Sequence, residues 1–539
     1  MALASRSRLA RHTAPLALWT VLAAAAPVPW VPCARAQSSP PEVEVLRAEV
    51  AELKRRDEAN QARMMEMEKM LRELLEAQRG AASTVEASVS PPASPQGAAA
   101  PAPDAALDAA LATTPSTTTG SVPGSSNDIW SARIGQTGAQ ARLMDISLTM
   151  NTAAGGSSVG DDELGDLQGG AHDPLENGFT LQQAELALGG AVDPYFTGFA
   201  NIVFTPNFIE LEEAFLTTSS LPFGLQVEGG YFLTEFGLIN PTHAHAWYWL
   251  DQPIVNTRMF GGEGLRSVGA RVGWLLPLPF FSELHVGVQD AGLSEYTQSF
   301  LGEEGIGGRP NVNRDVDSFE EFLWLGRWNA AWDLSDTSAL LVGASVVYGP
   351  NATGKNGETW IYGGDVKFRW RAPNNFRGWP FVAWQSEVIA RDYTADWFLA
   401  GTESGGGDDG HGHDHGGHEE EEEEVEFPND LPADTLHDVG FYSQLLYGFR
   451  FQWAAGLRAE YVTGSGASVA EGVLAPRSDD PMRADRFRLS PLLLWHPTEF
   501  SRLRLQYNFD DSDSLRGGKA HTVWIGAEVL YGTHGAHKY

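Results

Sequence analysis

Most of the chain alternates between apolar and polar positions with a period of two. From residue 142 onward, short stretches have an aliphatic or aromatic side chain at every second position. Leu503 and Leu505, for example, are separated by Arg504 and flanked by Arg502 and Gln506. Side chains at positions i and i+2 share one face of a β-strand, so this pattern predicts strands with one apolar and one polar face.

About sixteen stretches of this kind follow one another, and the links between them alternate in length. The long links are expected at residues 151–177, 235–265, 292–318, 393–437 and 464–484. Outer-membrane barrels pair short periplasmic turns with long external loops, and an even strand count returns both chain ends to the periplasm. The sequence therefore predicts an all-β fold, a transmembrane antiparallel β-barrel of about 16 strands over residues 142–539. A soluble sandwich shows the same alternation, but the strand lengths and the aromatic strand ends favour the barrel.

The region before the barrel has a different pattern. Val43, Val50, Met64 and Leu71 occupy one position of a seven-residue repeat, and a second apolar position follows three residues later. Such a seam is buried only against another helix, so residues 37–79 are predicted to form a short α-helical coiled coil, with a homo-trimer preferred. A lone amphipathic helix on the barrel rim is the alternative. Residues 80–141, rich in Ala, Pro, Ser and Thr, are expected to be a flexible linker.

The first 36 residues have the features of a signal peptide. A basic segment with Arg6, Arg8 and Arg11 precedes an apolar core that is too short to span a bilayer, and a small-residue cleavage site ends at Ala36. The one cysteine, Cys33, lies in this segment, so the exported chain is expected to have no disulfide. The expected location is the outer membrane of a Gram-negative-type bacterium, with the coiled coil in the periplasm.

Charge and motifs narrow the function. The formal net charge of -33 argues against nucleic acid as a partner, because a polyanion would be repelled. The sequence contains no Walker, H-E-x-x-H or C-x-x-C motif, so we do not expect an enzyme. Outer-membrane lipid and small ions or solutes are the expected partners.

The loop 393–437 contains a concentrated set of metal-ligand side chains. Imidazole suits Zn²⁺, Ni²⁺ and Cu²⁺, carboxylates add charge attraction, and glycines let the backbone wrap around an ion. We expect a weak, exchangeable metal collector at the channel mouth and no required cofactor; a solvated acidic loop is the alternative. The candidate ligands are His411, His413, His415, His418, Asp408, Asp409, Asp414, Glu419 and Glu420.

The loop expected at residues 235–265, the third link on the external side, is the predicted pore constriction because classical porins fold the corresponding loop into the lumen. It contains His243, His245 and Asp251 among aromatic residues, and the alternative is that it packs on the barrel wall. Arginines facing the lumen would attract anions, unless they pair with acidic loops and hold them. The lumen candidates are Arg369, Arg371, Arg486, Arg488, Arg502 and Arg504, with Glu185, Glu228, Glu387 and Glu528 on other strands.

Two family resemblances follow from these segments. The coiled coil, linker and sixteen-strand plan resemble phosphate-selective-type porins. The barrel sequence resembles proteins often labelled zinc-regulated TonB-dependent outer-membrane receptors, through residues 192–195, 211–214, 240–245, 251–253, 261–266 and 534–539. That label implies energised zinc uptake, although such receptors have a barrel of 22 strands and an N-terminal plug.

We therefore expect a porin-like channel for small solutes or ions that collects divalent metal through its external loop. A TonB-dependent-type zinc receptor and a structural envelope tether are the alternatives.

Overall fold

The structure, a computed structural model, describes residues 131–134, 139–142, 145–292, 294–302, 305–312, 314, 316, 318–400, 429–470 and 472–532. The predicted signal peptide and coiled coil lie outside these residues, as do most of the predicted linker, the histidine-rich stretch 408–424 and the tail after residue 532. Those predictions stay predictions.

Twenty strands lie in the described part of the chain. The first ten are β1 (Ser131–Ile134), β2 (Ala139–Arg142), β3 (Asp145–Ser157), β4 (Gly178–Ala191), β5 (Phe196–Phe204), β6 (Ile209–Thr218), β7 (Leu225–Leu233), β8 (Arg266–Leu275), β9 (Phe281–Asp290) and β10 (Phe322–Ser335). The others are β11 (Ser338–Pro350), β12 (Glu358–Phe376), β13 (Trp379–Ala395), β14 (Asp434–Arg450), β15 (Trp453–Ser465), β16 (Ser468–Ala470), β17 (Val473–Ala475), β18 (Arg486–Thr498), β19 (Ser501–Ser512) and β20 (Lys519–Gly532).

Sixteen of these strands form one closed antiparallel barrel. Strands β3 to β15 and β18 to β20 each pair with their neighbours along the chain, and β20 pairs with β3 to close the barrel. Closure leaves no free sheet edge. Two small hairpins, β1–β2 and β16–β17, form separate two-stranded sheets that do not pair with the barrel strands. The predicted strand number is confirmed, and the β1–β2 hairpin falls in the last part of the segment expected to be linker.

Within the described residues, the helices are short and lie in the links between strands. Two of them are α-helices, α1 (Asp161–Leu167) and α2 (Ile254–Phe260). The 3₁₀ turns are Pro222–Gly224, Ala244–Ala246, Ser294–Thr297, Ile306–Gly308, Phe319–Glu321 and Arg477–Asp479.

Across the described residues, every helix is either too short or too polar to cross a membrane.

The barrel has an apolar outside and a polar inside, as the alternation predicts for a barrel. In β20, Ile525 is 59% exposed on the outer face, whereas Glu528 is 1% exposed on the inner face. In β19, Leu503 and Leu505 point outward, and the inward side chains are Arg502, Arg504, Gln506, Asn508 and Asp510. A soluble sandwich would bury the apolar face instead, so this arrangement excludes the sandwich alternative.

The links confirm the predicted alternation in length, with shifted boundaries. One end of the barrel has short turns, such as residues 336–337 and 451–452, and the other end has the long loops. The first long loop was predicted to begin at residue 151, which is wrong: β3 continues to Ser157 because it pairs with β20 from Ser147 to Ser157. The loop expected at 393–437 spans 396–433, because β13 and β14 extend further than the pattern showed.

Candidate functional site

The loop 234–265, hereafter the lumen loop, is the third link at the long-loop end and lies inside the barrel. All seven residues of its helix α2 are buried. Its backbone amide at Leu238 donates to Glu387 on β13, while His243 lies 3.1 Å from the amide nitrogen of Asn201 on β5. Seven strands separate β13 from β5 in either direction around the barrel. The lumen loop therefore crosses from one wall to the opposite wall.

Glycines on the barrel wall make room for the side chains of the lumen loop. A Cβ atom at Gly363 would lie 2.6 Å from the Phe236 ring, and one at Gly526 would lie 2.2 Å from Leu250. Gly456 receives Trp249 and Gly440 receives Val255 in the same way. Any larger residue at these wall positions would collide with the loop. The inner wall is therefore shaped to fit the loop.

Asp251 is the main ionic anchor of the lumen loop. Its carboxylate accepts hydrogen bonds from Arg458, from Arg488 at 2.9 Å, from Gln506 at 2.8 Å and from Asn508 at 2.7 Å. Burial raises the pKa of Asp251, but the two guanidinium groups outweigh burial and bring the pKa down to about 2. The anchor is therefore a fully ionised carboxylate shared by two arginines.

The predicted lumen arginines on β18 and β19 face inward, and three of them contact the lumen loop. Arg502 donates to the backbone carbonyl of His245 at 2.5 Å, and Arg504 donates to that of Trp249 at 3.1 Å. Arg502 and Arg504 both pair with Glu528, and Arg486 and Arg488 both pair with Asp510. Arg488, Arg502 and Arg504 therefore match the alternative in which arginines fix a loop, here the lumen loop, whereas Arg486 donates to the Leu167 carbonyl in the loop 158–177 at 2.5 Å. Arg369 and Arg371 are half-buried on β12 instead.

Neighbouring loops pack against the lumen loop at the long-loop end. Asp173, in the loop 158–177, accepts from the Gln252 amide at 2.8 Å, and Ser299, in the loop 291–321, donates to the Met259 carbonyl at 2.5 Å. Burial and the nearby charge of Asp251 raise the pKa of Asp173 to about 8. An apolar cluster around α2, which includes Phe236, Phe260, Phe300 and Tyr442, fills the space between loop and wall. Among the described residues, the lumen loop, its neighbouring loops and this apolar cluster therefore pack together inside the barrel.

The two histidines of the lumen loop meet carboxylates of the wall. His243 lies between two glutamates, with Nδ1 2.9 Å from Glu212 and Nε2 2.8 Å from Glu213. His245 Nδ1 lies 2.6 Å from Glu185, and the two imidazole rings stack at 5.8 Å. Burial lowers the pKa of His243, but the charges of Glu212 and Glu185 outweigh it and raise that pKa well above its usual value.

A β-bulge brings both glutamates of β6 to the lumen. Consecutive residues of a regular strand point to opposite faces, yet Glu212 and Glu213 are both buried inside. The pairing of β5 with β6 skips Glu212, since Asn201 pairs with Glu213 and Ile202 pairs with Leu211. The extra residue turns its side chain inward. Sequence analysis did not identify this pair as partners of His243, because a period-two pattern assigns them opposite faces.

The predicted sites thus have different outcomes. His243, His245 and Asp251 of the lumen loop come together with wall residues that include Arg488, Arg502 and Arg504, and Arg486 shares Asp510 with Arg488. Their assignment to a pore constriction stays a prediction. The nine candidate metal ligands of the external loop lie outside the described residues.

The described residues define a closed sixteen-stranded antiparallel barrel with a loop folded into its lumen. No protein-family model matches the sequence. An "Uncharacterized protein" of Aquifex aeolicus (strain VF5) is 30% identical over an alignment of 393 residues, and the alignment covers 68% of this chain and 73% of that protein. The chain belongs to the family of this Aquifex protein.

Several solved outer-membrane proteins are similar in structure to the chain. The channel DcaP of Acinetobacter baumannii has a TM-score of 0.43 and 10% identity, over 72% of this chain and 97% of that one. The anion-selective porin from Comamonas acidovorans has a TM-score of 0.40 and 7% identity, over 72% and 99%. OmpF of Salmonella typhi, in complex with daunomycin, has a TM-score of 0.39 and 11% identity, over 72% and 97%.

Proposed function

We propose that this protein is a porin-like channel of the outer membrane whose lumen is closed by the lumen loop in the conformation described. The observation that supports it most is the position of the lumen loop, which crosses a closed barrel and fits glycine-lined recesses in its wall. The apolar outer face suits lipid, and the charged inner face suits water and ions. Conduction then requires the lumen loop to move.

Shortening the lumen loop tests this proposal. The Thr234 amide donates to the Leu265 carbonyl at 2.9 Å, so the loop begins and ends at adjacent positions. A two-residue Asn-Gly turn in place of residues 236–263 can therefore connect β7 to β8 without disturbing their pairing. We expect the wild-type chain to show rare, small openings in planar bilayers and the shortened variant to show a large, persistent conductance.

The control for this experiment is the wild-type chain refolded and reconstituted in parallel, with the barrel state of both proteins checked by circular dichroism and heat-modified gel mobility. If the shortened variant folds and shows no conductance, the channel proposal is wrong, and an envelope anchor without transport is favoured.

Two further proposals, on metal binding and on self-association, concern segments beyond the described residues. We propose that the histidine-rich stretch 408–424 collects divalent metal weakly at the outer mouth, since imidazole and carboxylate ligands alternate there with glycine. We also propose that three chains associate through the heptads of residues 37–79 in the periplasm.

Zinc titration calorimetry tests the collector. Replacing His411, His413, His415 and His418 by asparagine removes the imidazole ligands and keeps the loop length. We expect several weakly bound zinc ions per chain to be lost, because carboxylates alone hold Zn²⁺ less well than mixed sites. Replacing His521, an exposed histidine of β20, by asparagine is the control and should change nothing. An unchanged isotherm for the fourfold variant would remove the collector proposal.

A further inference from the structure

A second group of metal-ligand side chains lies deep in the barrel, where the lumen loop meets β4 and β6. One carboxylate oxygen from each of Glu185 and Glu212 and one ring nitrogen of His243 lie within 4.8 Å of one another. Both glutamates are buried, and His243 is half-buried. We propose that Glu185, Glu212 and His243 form a binding site for a divalent transition-metal ion such as Zn²⁺.

The ligand types fit this class of ion. Zn²⁺ takes imidazole nitrogen and carboxylate oxygen at about 2.0–2.2 Å in tetrahedral geometry, which places ligand atoms roughly 3.3 Å apart. A bound ion would take the place of the direct contact between His243 Nδ1 and Glu212, which are now 2.9 Å apart and would separate slightly. Three protein ligands leave the fourth position open to water or solute, which favours exchange of the ion. Mixed nitrogen and oxygen ligands favour Zn²⁺, Ni²⁺ or Cu²⁺ over Ca²⁺ or Mg²⁺.

Neighbouring polar groups orient each of the three ligands. Asn201 donates to Glu212 at 2.7 Å, and the carboxylate of Glu213 lies 2.8 Å from Nε2 of His243. Glu185 is contacted by His245 at 2.6 Å and by Gln183 at 3.0 Å. Such partners fix the direction of a ligand's lone pairs and strengthen metal binding.

His172, in the loop 158–177, supplies an independent observation. Its side chain is 6% exposed, and neither ring nitrogen has a hydrogen-bond partner among the described residues. It lines the same small cavity as Glu212, and the carboxylate of Glu263 is 3.8 Å from its Nε2, beyond hydrogen-bond range. A buried imidazole without a partner is costly. An ion or its bound water in this cavity would provide that partner.

The site has a structural consequence for the lumen loop. Glu185 belongs to β4, Glu212 to β6 and His243 to the lumen loop, so a bound ion would tie the loop to two strands of the wall. Metal binding at these residues does not depend on conduction. A failed zinc titration would therefore leave the channel proposal intact, and a failed conductance test would leave the metal site intact.

Titration of the full-length protein, freed of metal with a chelator, tests the site. The external histidines His411, His413, His415 and His418 are replaced by asparagine, so that external binding does not interfere. We expect one Zn²⁺ per chain by calorimetry, and Co²⁺ in its place should show the strong visible absorption of a four-coordinate site. Glu212→Gln, which keeps the side-chain size, should weaken binding at least about tenfold.

The matched control is His285→Asn. His285 is also a buried lumen histidine beside a glutamate, with Nε2 3.1 Å from Glu283, but it lies on β9 outside the cluster. Its replacement should leave zinc affinity unchanged. Glu185→Gln serves as a second test if Glu212→Gln does not fold, as judged by heat-modified gel mobility. The proposal is overturned if the protein binds no Zn²⁺, or if the folded glutamine variants bind it as tightly as the parent.

Discussion

Replacing Asp251 by alanine is expected to release the lumen loop from the wall and to raise single-channel conductance severalfold. Asp251 is fully buried, and its carboxylate is the shared partner of Arg458 and Arg488. Removing one partner of a buried ion pair costs about 3–5 kcal/mol, because the remaining charges stay buried and unpaired. Here two guanidinium groups and the amides of Gln506 and Asn508 lose the same acceptor.

We expect the barrel to stay folded after this change, while the lumen loop detaches from the wall. The wall strands are held by continuous backbone ladders, for example thirteen paired positions between β11 and β12. The loop depends on side-chain contacts, and elements of this kind open locally before the whole fold does. Arg458 and Arg488 gain access to water when the loop leaves, which relieves their lost pairing.

Conductance in planar bilayers and limited proteolysis would measure the outcome together. The variant should show larger open steps and new cleavage within residues 234–265, with unchanged heat-modified gel mobility. Asp336→Ala removes an exposed carboxylate from a short turn at the other end of the barrel and should behave as wild type. Wild-type conductance together with a wild-type cleavage pattern would show that Asp251 does not anchor the loop.

A disulfide between the lumen loop and β20 should reverse that opening. A Cβ atom at Gly526 would lie 3.1 Å from the Leu250 Cγ, the position that a cysteine sulfur at residue 250 would occupy in the same rotamer. In a disulfide each Cβ is about 3 Å from the far sulfur, given an S–S bond of about 2.0 Å. The Cβ-to-sulfur distance expected for Leu250→Cys and Gly526→Cys therefore matches that of a disulfide.

We expect this pair, built into the Asp251→Ala variant, to return conductance to the wild-type level when oxidised. Dithiothreitol should restore the severalfold increase within the same membrane. Cys33, the one native cysteine, is replaced by serine so that no other thiol competes. Leu250→Cys alone, which cannot form the bond and leaves the wall glycine in place, is the control and should not respond to the reductant. A disulfide that forms fully and leaves conductance high would show that ions do not pass where the lumen loop lies.

Much of the architecture followed from side-chain periodicity. Leu503 and Leu505 alternate with Arg502 and Arg504, and the structure places the first pair outside and the second inside. Loop lengths gave the strand number and the two kinds of end. These features depend on local rules, since strand geometry alone puts successive side chains on opposite faces.

The partners inside the lumen did not follow from periodicity. Asp251 contacts Arg458 and Arg488, which are more than 200 residues away in sequence. His243, in the lumen loop, contacts Glu212 on β6. The bulge at Glu212 interrupts the period of two, so that Glu212 and Glu213 both point into the lumen. Wall glycines such as Gly363 and Gly526 could not be predicted either, because a glycine in a strand pattern does not show which side chain packs against it.

The sequence by itself determined a barrel of sixteen strands with a polar interior, because alternation and loop length are local properties that survive in every strand. It also identified residues 235–265 as the loop of interest from its position in the loop order. Only the tertiary structure decided that this loop crosses the lumen, that Asp251 anchors it and that His243 stands beside Glu185 and Glu212. Those contacts depend on strand register and barrel closure, which bring distant segments together in ways that no local pattern encodes.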